Sequence, residues 1–220
     1  SNRCYGPLKA DAILVDPVTK HINSDYFHGY MKAANEAQES EKAEAFFQKH
    51  QANLLGLQPI KKAFYIRLVT MFWYTIKVSR EGKPLFSESD KKTRLEHIHG
   101  QIWMESFKSV LMKARRWVLL IQCDFEIALI DASYWEKFEA DWRAFEEMLR
   151  RKRKTEVKNM DEANKARFRG FHKAARQLEK FAKGKEKATL EYRQELLATE
   201  TVEKAWLMKK LSLFLPHEQS

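Results

Sequence analysis

Groups able to bind a metal or move a proton crowd together most clearly at Glu96-His97-Ile98-His99. Two histidines separated by one residue point about 200° apart on a helix and share a face only on a strand. Glu96 and Gly100, the neighbours at helical spacing, supply no further ligand beyond that acid, so the run predicts packed or solvated histidines and no metal centre. A phosphate-cradling loop needs glycines a few residues apart, because only glycine lets the main chain approach the phosphate. The closest glycines here are Gly170 and Gly184, which excludes that device. Neither a Gly-x-Ser-x-Gly elbow, a Cys-x-x-Cys nor a His-Glu-x-x-His occurs. The expectation is a non-enzymatic protein with no cofactor and no metal.

Charge placement says more. Residues 149–187 hold fifteen Lys/Arg and five Asp/Glu, so this stretch accounts for the whole formal net charge of +10. Arg150, Arg151, Lys152, Arg153 and Lys154 cluster where a helix should end. On a helical wheel Lys165, Arg169, Lys173, Arg176, Lys180 and Lys183 form one stripe, opposite Phe168, Phe171 and Leu178. A plainer account is a solvated face, with Arg150–Lys154 complementing a helix C-terminus and Glu146–Arg150 and Glu147–Arg151 as pairs four apart. Against it, Lys165 to Lys183 contains Glu179 as its single acid, and an unpaired basic stripe repels itself unless a polyanion faces it.

These eleven residues are therefore the expected polyanion-binding set. Nucleic acid is the first partner, held through phosphates without base readout, since no recognition helix, zinc finger or stacking platform is legible. The alternative is a protein-interaction or scaffold domain that docks an acidic protein or a second copy of itself. An anionic membrane ranks behind both, because the face opposite the stripe is needed for a core.

The elements that would position this charge are helices. The chain has 220 residues, with 7 Gly, 5 Pro and no Pro between Pro84 and Pro216. That scarcity of turn residues excludes an all-β sandwich or barrel and predicts an all-α fold. Residues 1–23 read as an extended segment, 24–132 as an aromatic-rich helical layer, and 133–216 as an antiparallel three-helix bundle within one globular unit. Ser24-Asp25 and Ser133 look like helix caps, Gly56 and Gly184 like helix stops, and Lys158-Asn159 like a break. The last helix is expected over about 186–213.

Residues 60–86 fit two patterns. Phe64, Leu68, Met71, Phe72 and Ile76 lie on one helix face, yet the residue types suit strands, and Arg80-Glu81-Gly82-Lys83 suits a hairpin turn. Helix is favoured because a single hairpin has no other strand to join. One or two helices should cover 90–130, the stretch from Val110 to Ile130 being the most buried. The six Trp, Trp142 among them, fall on or beside apolar faces and predict core packing. Two cysteines, Cys4 and Cys123, are too few for a disulfide framework and point to an intracellular, cytoplasmic setting.

Overall fold

The structure is a computed structural model that describes residues 21–36, 39–79, 81–150 and 160–216. It is all-α. Among the described residues nine α-helices run from Ser24–Glu36 (α1), Ser40–His50 (α2), Leu57–Thr75 (α3), Glu88–Met104 (α4) and Val110–Ala128 (α5) to Trp135–Arg150 (α6), Glu162–Ala182 (α7), Leu190–Ala198 (α8) and Lys204–Leu211 (α9). The β contacts among these residues are two isolated bridges, Ile22 with Leu54 and Val78 with Pro84. None of the described helices is long and apolar enough to cross a membrane. The chain divides into two compact units, 1–102 and 103–220.

In the first unit α1, α2 and α3 pack on one another around Phe27, Met31, Phe47, Leu68 and Phe72, all buried. The N-cap of α1 is Asn23 rather than Ser24, because the Asn23 Oδ1 accepts from the main-chain N–H of Asp25 and Tyr26 at 2.9 and 3.2 Å. Gly56 does not stop a helix. It has φ +82° and turns the chain into α3, with Pro59 in the first turn. Residues 60–75 take the favoured helix, and of the alternative only the turn and one isolated bridge, Val78 with Pro84, are present among the described residues. The helix holds through Thr75, and a minimal hairpin follows in which Ser79 and Lys83 bond through the main chain at 2.7 Å. Gly82 supplies the left-handed φ of +78° that this turn requires. Ser87 then caps α4, accepting from the Asp90 N–H at 3.1 Å.

The second unit is built on α5. Its residues 118–128 are all buried, Cys123 included, as the run Val110–Ile130 predicts. Phe125 lies edge-on to Trp135, Phe138 and Trp206, which ties α5 to α6 and α9. Asp131, not Ser133, opens the turn into α6, its side chain accepting from the Ser133 N–H. Gly184 ends α7 as expected. It has φ +65°, and the Lys185 N–H reaches back to the Lys180 oxygen at 2.9 Å.

The stretch expected as one helix over 186–213 is two. Thr199 to Glu203 separate α8 from α9, and Glu203 takes a left-handed φ of 53°. The break packs on α7 at Gly170, where an added Cβ would lie 2.5 Å from the Glu200 main-chain oxygen. The Val202 N–H adds a bond to the Arg167 oxygen at 3.4 Å. The Lys158-Asn159 break lies outside the described residues.

Candidate polyanion interface

Helix α7 carries the stripe. Asp161 starts it, accepting from the Asn164 N–H at 2.7 Å, and Phe168, Phe171, Ala175 and Leu178 bury one side. The cations on its other side do not share one environment. The side chain of Lys173 is 80% exposed, whereas Lys183 and Lys165 are 19% and 15% exposed. Successive residues turn by about 100°, so Lys183, Arg176 and Lys165 fall along the edge of the stripe beside the row of Glu179, while Arg169 falls at its centre and Lys173 at the opposite edge.

That edge is an ion-pair ring. Glu179 is fully buried, and its carboxylate is met by Arg176 and Lys183, each at 2.7 Å. Glu139, reaching across from α6, accepts from Lys183 at 2.9 Å and stands 3.8 Å from Arg176. The hydrogen bond from Lys183, with the charges of Lys183, Arg176 and Arg143, holds the Glu139 carboxyl below its usual range. Partial burial works against the charge of Lys183, but the bonds to Glu179 and Glu139 outweigh it and raise its pKa. Arg176 also lies over the Trp142 ring, and Lys183 over the Trp135 ring.

The remaining pairs are lighter. Lys165 bonds Glu162 at 2.6 Å, Lys180 bonds Glu186 at 2.8 Å, and Lys173 reaches Glu195 of α8 at 3.3 Å. Arg150 pairs with Glu146 at 2.7 Å, as its spacing predicts. Arg151, Lys152, Arg153 and Lys154 lie outside the described residues. The stripe is therefore not unpaired as its own helix suggests. Besides Glu162 and Glu179 of α7 itself, its acids come from α6, α8 and the turn after Gly184, out of reach of a single-helix wheel.

Arg167, Arg169, Lys185 and Lys187 are exposed and make no ion pair among the described residues, although Arg169 feels the charge of Glu162. Arg167, Lys185 and Lys187 lie outside the stripe that the wheel singles out. Sequence reasoning also missed a second charged centre. Glu126 of α5 and Lys210 of α9, both buried, meet at 2.5 Å, and the Trp206 Nε1 donates to Glu126 at 3.0 Å. Its signal was present, since an acid inside an otherwise apolar run must find a buried partner. No protein family, curated protein or solved structure matches this chain.

Proposed function

We propose that this chain is a non-enzymatic helical binding module whose C-terminal bundle presents the basic hairpin 150–187 to a polyanion, nucleic acid foremost. The partner is gripped by its phosphates, without base readout. One observation carries the reading: Arg167, Arg169, Lys185 and Lys187 stand exposed without ion pairs among the described residues, while the cations beside them are satisfied. Cations needed only for folding would be paired like Arg176 and Lys183. Lys173 and Lys180 lie within about 40° of Arg169 around α7 and extend its surface. The inert, buried Cys123 thiol, pushed well above its usual pKa by burial, fits a reducing intracellular setting.

The test reverses Arg167, Arg169, Lys185 and Lys187 to Glu, which moves the hairpin from +10 to +2. Circular dichroism should be unchanged, and the salt slope of duplex binding should fall by about 0.9 for each lost phosphate contact. Wild-type protein should copurify with material absorbing at 260 nm that a high-salt wash removes. A folded variant that binds duplex as wild type does would refute the reading.

A scaffold is the second reading. Leu190 and Leu197, 47% and 49% exposed, lie seven residues apart on one face of α8, a face suited to another protein or a second copy. Concentration-dependent, nuclease-insensitive oligomers would favour it.

A further inference from the structure

In the first unit, α3 and α4 enclose a groove of about 290 Å³ lined by Met71, Tyr74 and Thr75 on one side and Thr93, Arg94 and His97 on the other. We propose that this groove binds a small aromatic carboxylate. Its volume lies near the lower end of small-ligand sites, about 300 Å³, which suits one or two fused rings. The floor is apolar and polarizable, a methionine thioether beside an aromatic ring, as a flat aromatic body requires. Tyr74 meets the Phe86 ring edge-on at 5.5 Å, which fixes that wall.

The polar chemistry is concentrated in two groups. The Thr75 hydroxyl donates to the Met71 oxygen at 2.8 Å and that of Thr93 to the Ser89 oxygen at 3.0 Å, so both are engaged within their own helices. Arg94 is exposed, its guanidinium lying 4.1 Å over the Phe86 ring, and it makes no ion pair among the described residues. Stacking occupies the guanidinium face and leaves its in-plane N–H donors, the fork that takes a carboxylate bidentately. His97 follows one turn later on the same side of α4 and offers a further ring N–H. Among the described residues no acidic side chain lines the groove.

The test is calorimetric titration of the intact chain with 1-naphthoate and, in parallel, with its neutral isostere 1-naphthalenemethanol. Naphthoate should bind saturably at one site, and the alcohol at least about tenfold more weakly, because it cannot form the charge-assisted pair. Arg94→Gln should bring naphthoate down to the affinity of the alcohol while leaving the alcohol unchanged. Met71→Trp, which fills the floor, should abolish both, with circular dichroism confirming each fold. Equal binding of the two probes, no saturable binding of naphthoate, or wild-type affinity in folded Arg94→Gln or Met71→Trp would each overturn the proposal.

Discussion

Trp142 and His172 are joined by ring and by main chain. The indole Nε1 donates to the His172 oxygen at 3.0 Å, and the two rings stack with centroids 4.0 Å apart and planes 16° from parallel. This contact fastens α6 to α7 directly beneath Arg176. Trp142 is half-buried, so Trp142→Ala should cost about 2–4 kcal/mol, somewhat less than a fully buried Trp→Ala change. Urea unfolding measures it, and an unchanged midpoint would mean that the seam holds without the indole.

The His172 ring should make stability depend on pH. Burial lowers its pKa from the usual 6.5, partly opposed by its bond to the Trp142 oxygen and by Glu146, and reinforced by Arg150 and Arg176. The unfolded chain therefore takes up this proton first as pH falls. The stability contributed by a neutral His172 is complete above about pH 6.5 and is lost as pH falls from there toward the lower folded value. In His172→Gln, unfolding free energies between pH 7.5 and 5.5 should lose that part of their slope.

Arg176 should tolerate reversal badly. Arg176→Glu would place a third carboxylate beside Glu139 and the fully buried Glu179, removing one of the two cations that pair with Glu179. A loss of about 3 kcal/mol or more is expected, whereas Arg169→Glu should change stability by less than about 0.5 kcal/mol. Thermal melts of the two variants side by side separate structural cations from available ones.

Lys210→Met should destabilise by about 3–5 kcal/mol, since it leaves the Glu126 carboxyl in the core without its ion-pair partner Lys210. Replacing both, as Glu126→Leu with Lys210→Met, should recover much of that loss. A double-mutant cycle reads the coupling, and additive losses would show that the pair is not what holds the two residues.

Glycine substitutions should split by sign. Gly29 and Gly100 are helical with open space around them, so Ala should stabilise each by about 0.5–1 kcal/mol. Gly170→Ala gains the same helix propensity but drives its Cβ into a main-chain oxygen, and a net loss of about 1–2 kcal/mol is expected. Equilibrium unfolding of the three variants decides it.

Much of this fold is legible in periodicity. Phe138, Phe145 and Leu149 on α6, and Phe168, Phe171 and Leu178 on α7, are buried where their spacing places them. The division of the last helix was not legible: Leu190 and Leu197 pass for the start of an apolar stripe that continues to Leu211, yet both are exposed and α8 buries Leu196 instead. The environment of the stripe was not legible, because Glu139 lies 44 positions from Lys183 and Glu195 lies 22 from Lys173. A helical wheel assigns exposure within one helix, and these acids arrive through tertiary packing.

The contact at Gly170 sets the azimuth of α7. With the Glu200 oxygen seated where a side chain would be, and Val202 bonded to Arg167, the helix cannot roll about its long axis without a main-chain collision. Lys173 is held facing Glu195 while Arg169, one turn earlier, is held facing solvent. Any partner meets this row of charge at a fixed angle, as teeth on a keyed shaft.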